Sequence, residues 1–132
     1  MNVLNPPRKP GAGAPDLAAA IAGSYRLQYF SEGGTGHALP KNGMAGRIVF
    51  GRSPLATMGT NVATLRIVLT QHGRVQFDQT THVYLVEQSD VIRIYEDATR
   101  RVCLGSVRGG SATLVAFNYD FVQTELRATR RS

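Results

Sequence analysis

The side chains best suited to chemistry lie close together in two adjacent segments of the chain. They are His82, Tyr84, Arg93 and Tyr95. His82 and Tyr84 have the two-residue spacing that places side chains on one face of a strand, and Arg93 and Tyr95 have it too. If the two segments pair as a hairpin, the four side chains become cross-strand neighbours. Facing into a cavity, they would be able to bind a carboxylate or carbonyl group or to perform acid–base chemistry.

The residues between these four allow a second interpretation. Val83 and Leu85 make the opposite face of the first segment apolar, and Ile92 and Ile94 do the same for the second. Because an apolar strand face normally packs into the core, an outward orientation of the polar cluster is favoured over an inward one. An outward patch of Tyr, His and Arg is typical of a contact with protein or nucleic acid.

Other catalytic and metal-binding arrangements have little support in the sequence. No two of the three histidines, His37, His72 and His82, have the spacing of metal ligands. The single cysteine, Cys103, lies between apolar residues, which favours a buried small side chain over an activated nucleophile. The sequence therefore predicts no metal site and no cofactor, and it favours a protein that is not an enzyme.

A second candidate surface is rich in arginine. The chain has 15 basic and 9 acidic residues, which gives a formal net charge of +6. Basic proteins tend to meet acidic partners, and arginine forms bidentate contacts with phosphate and carboxylate groups. No RNA-binding sequence motif accompanies the arginines. The candidate partner-binding residues cluster late in the chain and are Arg100, Arg101, Arg108, Arg127, Arg130 and Arg131.

The elements that must position these residues are predicted to be strands. Through residues 24–131, alternating apolar and polar segments are separated by Gly-, Asn-, Asp- and Ser-rich turns, and no helical period is present. Residues 31–43 are predicted to form a long loop, and residues 74–87 form either one long strand or two short ones. About eight strands in this order predict an all-β, antiparallel up-and-down barrel, with a β-sandwich as the alternative.

The beginning of the chain differs from the rest. Residues 1–15 are rich in Pro, Gly and Ala and predict a flexible tail before a single domain of residues 16–132. Asp16 is the expected N-cap of a short helix that ends at Gly23. No apolar run reaches the roughly 18–20 residues that span a bilayer. The lone cysteine favours a reducing compartment, so a cytoplasmic location is expected, with organelle targeting as an open alternative.

The start of the first strand resembles a known family. In the segment Ala22-Gly23-Ser24-Tyr25, a glycine and an aromatic residue follow the short helix, which is similar to the opening of lipocalin-like (calycin) proteins. Tyr25 stands where that family has tryptophan. The resemblance implies an aromatic ring at the closed end of the barrel and an arginine packed on it, for which Arg127 is the candidate. It also implies a cup that opens opposite the helix, and it transfers no catalytic residue.

Three functions follow as expectations. The first is a non-catalytic lipocalin-like barrel that binds a small apolar or amphipathic molecule through His82, Tyr84, Arg93, Tyr95 and Tyr25. The second is a basic interaction module that binds protein or nucleic acid through the late arginines, including within a larger assembly. The third is a barrel-cavity isomerase or decarboxylase, which requires His82 to face inwards.

Overall fold

The computed structural model describes residues 16–32, 35–55, 61–119 and 122–130. The predicted tail, residues 1–15, and Arg131 lie outside these ranges. Within them the chain forms one short helix followed by nine strands. These elements are α1 (Leu17–Ile21), β1 (Gly23–Glu32), β2 (Thr35–Ala38), β3 (Met44–Arg52), β4 (Val62–Gln71), β5 (Arg74–Gln88), β6 (Val91–Tyr95), β7 (Cys103–Arg108), β8 (Ser111–Tyr119) and β9 (Val122–Arg130).

The strands form one antiparallel sheet that closes on itself. From β3 to β9, each strand pairs with the next one along the chain. One edge of β1 pairs with β3 and the other edge pairs with β9. Strand β1 and strands β3 to β9 therefore make a closed, eight-stranded up-and-down barrel, which confirms the predicted fold class. The segment that was open to two interpretations is the single long strand β5.

The extra strand, β2, corrects the prediction of a loop over residues 31–43. It folds back on the second half of β1, with Ala38 opposite Tyr29 and Thr35 opposite Glu32. Its sequence, Thr-Gly-His-Ala, has no apolar–polar alternation, so it becomes a strand through its pairing with β1 rather than through its own pattern. Strands β2 and β3 thus share one edge of β1, where β3 pairs with the first half and β2 with the second.

Apolar side chains from all eight barrel strands form one core inside the barrel. Val83, Ile94 and Leu126 are 0 % exposed, so side chains rather than solvent occupy this part of the barrel. Helix α1 covers one end and buries Leu17 and Ile21 in the same core. Burial of each such side chain stabilises the fold by about 1.5–3 kcal/mol. A five-residue helix is too short to be stable alone, so its position depends on this packing.

Asp16 fixes the start of the helix, as the sequence predicts. Its carboxylate accepts a hydrogen bond from the backbone N–H of Ala19 at 3.1 Å and forms an exposed ion pair with Arg52. The hydrogen bond from Arg52, followed by that from Ala19, holds the pKa of Asp16 below the usual value of 3.8. Because folding lowers the pKa of this carboxyl group, its charged form stabilises the folded protein at pH values above the usual pKa of 3.8. This stabilisation disappears as the pH falls through the lowered pKa of the folded state.

We expect Asp16→Asn to lower the free energy of unfolding by less than about 1 kcal/mol at pH 7, because asparagine still caps the helix and only an exposed ion pair is lost. The difference from the natural protein should shrink below about pH 3.8. Urea unfolding from pH 7 to pH 2.5 measures it. Asp16→Ala, which also removes the cap, should cost about 0.5–2 kcal/mol. Equal losses in the two variants would contradict the capping role.

Candidate ligand-binding cleft

The polar cluster predicted from the sequence lies on the outer wall of the barrel. Val83 and Ile94 face the core, so His82, Tyr84, Arg93 and Tyr95 point the other way. The register places Tyr84 directly opposite Tyr95. His82 is exposed, and its Nδ1 lies 2.8 Å from the buried Ser53 Oγ. The four residues therefore form an outer surface, and His82 does not have the inward position that the enzyme alternative requires.

Tyr25 lies at the end of the barrel that the helix covers. Its ring is 0 % exposed, and its hydroxyl donates a hydrogen bond to the carbonyl oxygen of Ile21 at 2.8 Å. Arg130 Nη2 donates to the same hydroxyl at 2.7 Å and to the carbonyl oxygen of Ala20 at 2.7 Å. The guanidinium carbon of Arg130 lies 5.2 Å from the centre of the ring. Tyr25 therefore joins the helix to the first and last strands, and it is inaccessible to a ligand.

The arginine that packs on Tyr25 is Arg130, which corrects the expectation of Arg127. Because Arg127 alternates with the buried residues Leu126 and Ala128, it points outwards. There it lies 4.5 Å from the ring centre of Tyr29. Arg130 is opposite Tyr25 in the pairing of β1 with β9. An arginine of the last strand therefore does pack on Tyr25, three residues further along β9 than expected.

The late arginines do not gather into one surface. Arg108 forms an ion pair with Asp90 beside the hairpin that joins β7 to β8. Arg100 and Arg101 lie in the turn between β6 and β7, at the other end of these two strands. Arg127 is on the outer wall and Arg130 at the helix-covered end. Arg108 and Arg130 both lie near the β7–β8 hairpin, where the backbone N–H of Arg130 donates to the carbonyl oxygen of Gly110, whereas Arg100 and Arg101 lie at the opposite end of β7. The described arginines of this group therefore do not form one continuous surface.

A cleft opens where β1 and β3 separate. Their pairing ends at Arg26 opposite Arg47. Beyond this pair, the carbonyl oxygen of Gln28 accepts a hydrogen bond from the backbone N–H of Leu39, which precedes β3. The resulting cleft has a volume of about 340 Å³. Its lining residues come from both strands, from the connection before β3 and from β4, and they are Arg26, Leu27, Pro40, Ala45, Gly46, Arg47 and Thr70.

The base of the cleft is a close contact between Leu27 and Gly46. A Cβ atom at position 46 would lie 2.5 Å from Leu27 Cδ1 and 2.7 Å from the backbone oxygen of Val68. Only glycine leaves room for Leu27 at this point. Apart from Thr70 and the two arginines, the lining is apolar, and Thr70 Oγ1 donates to the carbonyl oxygen of Ala45 at 3.3 Å. The cleft therefore combines an apolar base with two cationic groups at its margin.

A second cavity of about 210 Å³ lies on the other side of the connection before β3. Polar side chains dominate its lining, and Lys41 Nζ is 3.3 Å from His37 Nδ1 there. Of the two, the larger cleft has the size range that is usual for small-molecule sites.

The sequence does not single out Arg26 or Arg47. Each lies on the polar face of a predicted strand, where a solvated side chain is the ordinary outcome. Their importance depends on the register of β1 with β3 and on the point where this pairing stops. A pattern within either strand carries no information about that point, so no signal in this one sequence could have identified the pair.

No group of three His, Cys, Asp or Glu side chains in the described ranges is close enough to hold a metal ion. In the part of the chain that the structure describes, no helix is long and apolar enough to cross a membrane. Comparisons with protein-family models, with curated proteins and with solved structures find no match, so the functional interpretation depends on the fold and the geometry.

Proposed function

We propose that the protein is a non-catalytic binding barrel for a small amphipathic molecule and that the ligand occupies the cleft between β1 and β3. The observation that carries this proposal is the cleft itself, with its volume of about 340 Å³ and its mixed lining. Small-molecule sites are usually concave, largely apolar and equipped with a few polar groups that orient the ligand. The lipocalin-like resemblance and a cytoplasmic location belong to the same proposal.

The packing of the barrel supports a site in the wall rather than at the helix-covered end. Tyr25 and Ile94 are 0 % exposed, and Leu27 and Leu114 are 1 % exposed. A ligand among these side chains would have to displace well-packed core residues, which costs stability. The cleft requires no such displacement.

The two other functions have less support. A basic interaction module needs a continuous charged surface, whereas Arg108, Arg127 and Arg130 each contact a different part of this chain. An isomerase or decarboxylase inside the barrel needs acid–base groups in the interior, and His82 is on the outer wall. A binding function without catalysis therefore agrees best with the positions of these residues.

The proposal predicts that filling the cleft abolishes binding. The neutral probe N-phenyl-1-naphthylamine becomes fluorescent when it leaves water for an apolar site, and we expect it to bind the natural protein. Ala45 is half-buried and lines the cleft, so Ala45→Phe should weaken binding by about tenfold or more. Fluorescence titration of both proteins measures the change.

Val49→Phe is the matched control. Val49 lies on the same face of β3, opposite Ser24 and Arg66, and does not line the cleft. This variant should bind the probe as the natural protein does. The proposal is contradicted if the natural protein does not bind the probe or if Ala45→Phe and Val49→Phe have the same affinity. Native mass spectrometry of protein purified gently from its own host then identifies the natural ligand as an added mass.

A further inference from the structure

Arg26 and Arg47 form an unusual pair of like charges. They are directly opposite each other on β1 and β3, and both are exposed on the outer face. Like charges at directly opposite positions of an antiparallel pair destabilise a sheet. No described residue forms an ion pair or a side-chain hydrogen bond with either guanidinium group. The pair is therefore a local cost to stability at the margin of the cleft.

Several other described arginines have a carboxylate partner, and the feature particular to Arg26 and Arg47 is that two unpaired arginines lie directly opposite each other. Among the described residues, arginine–carboxylate ion pairs join Arg52 to Asp16, Arg66 to Asp78, Arg108 to Asp90 and Arg127 to Glu125.

Asp78 lies in the same cross-strand row as the pair but does not neutralise it. The row runs from Arg26 through Arg47 and Val68 to Asp78. Arg66 donates to both carboxylate oxygens of Asp78, at 2.9 and 2.7 Å. The hydrogen bond from Arg66 is the main cause of the lowered pKa of Asp78, and the charge of Arg47 is a minor one. The carboxylate is thus bound to Arg66, and no described carboxylate forms an ion pair with the two arginines at the cleft.

We propose that Arg26 and Arg47 together bind the oxyanion of the ligand, a carboxylate or a phosphate group, while its apolar part lies against Pro40 and Ala45. This inference rests on the proposed function, because it assigns a charge to the molecule that occupies the same cleft. Each guanidinium offers a planar set of donors that matches an oxyanion, and two of them can contact it from two strands. Binding also removes the repulsion between the two arginines.

The test compares ligands that share one apolar chain and differ only in the head group. Decanol, decanoate and decyl phosphate are used, below the concentrations at which they form micelles, to displace N-phenyl-1-naphthylamine from the natural protein. Since hydrogen bonds to charged groups are stronger than those between neutral groups, at least one of the two anions should displace the probe about tenfold more effectively than decanol. Whichever anion is preferred identifies the chemical source of the oxyanion.

The variant Arg26→Gln/Arg47→Gln should lose this preference and still bind the neutral probe. Its matched control is Arg74→Gln/Arg101→Gln, which removes the same charge from exposed arginines that lie outside the cleft and in no described ion pair. The control should keep the preference. Without ligand, the first variant should unfold at the same temperature as the natural protein or at a higher one, because it relieves a repulsion; a purely structural role predicts a lower temperature.

Each outcome separates the two proposals. If the probe binds and the three competitors are equally effective, the oxyanion site is wrong and the proposed function stands. If both double variants lose the preference to the same extent, the effect is the net charge of the protein, and the site is likewise wrong. If the probe does not bind, or binds without regard to Ala45→Phe, the proposed function itself fails.

Discussion

Replacing Tyr25 with alanine should destabilise the protein by about 3–5 kcal/mol, the range for removing a large aromatic side chain from a core. Tyr25 is 0 % exposed, and its ring meets that of Phe50 edge to face, with centroids 5.5 Å apart. Its hydroxyl also links the carbonyl of Ile21 to Arg130. The substitution leaves a cavity and removes the group to which the helix and the last strand are both bonded. Equilibrium unfolding in urea measures the loss.

A second variant keeps the prediction testable if Tyr25→Ala does not fold. Tyr25→Phe retains the ring and removes only the hydroxyl, so it should cost about 1–2 kcal/mol through the lost hydrogen bonds. Tyr29→Ala is the matched control, because Tyr29 is a half-buried tyrosine of the same strand that packs on Arg127 at the outer wall. A Tyr25→Phe variant as stable as the natural protein would show that the hydroxyl has no structural role.

Gly105→Ala should destabilise the protein by at least about 3 kcal/mol, the upper part of the range for overpacking. Gly105 lies in β7 between Ile94 of β6 and Leu114 of β8. A Cβ at this position would collide with the carbonyl oxygen of Thr113 and would lie 2.8 Å from Leu114 Cα. These are backbone atoms of a paired strand, so they cannot move aside as a side chain can. The unfolding midpoint in urea should fall sharply.

Gly110→Ala provides the control in the adjoining hairpin. The nearest atom to a Cβ at position 110 is Arg130 Cβ, at the ordinary contact distance of 3.7 Å, and Gly110 does not have a positive φ. The substitution should change the free energy of unfolding by no more than about 1 kcal/mol. If Gly105→Ala were as mild as Gly110→Ala, the close approach of β7 to β8 would be wrong.

Much of the architecture follows from the sequence because barrel strands alternate. The inward residues of β4, for example, are Leu65, Ile67 and Leu69, every second position of a run that the pattern alone identifies as a strand. Strand β2 has no such alternation and exists only because β1 offers it an edge, so the sequence predicts a loop there. The alternation of apolar and polar residues identifies a strand that buries one face. It does not identify a strand that forms only because a neighbouring strand pairs with it.

The site depends on register, which a single sequence specifies poorly. The sheet pairing is irregular between Leu27 and Tyr29, and this irregularity decides which residues of β9 face Tyr25 and Tyr29. Arg130 therefore packs on Tyr25, and Arg127 packs on Tyr29. In the same way, the pairing of Arg26 with Arg47 is a relation between two strands. Composition identifies the arginines as a group, but only the three-dimensional pairing distinguishes those that have partners from those that do not.

The contact between Arg130 and Tyr25 also constrains the order of folding. It joins residues 105 positions apart, whereas the pairings from β3 through β9 each join two consecutive strands. Local hairpins close quickly, and contacts distant in sequence form slowly because a long loop must first be ordered. We therefore expect the meander to assemble while the barrel is still an open sheet and the first strand to join the last in a late step. The contact between the Tyr25 ring and the Arg130 guanidinium group then holds the first and last strands together.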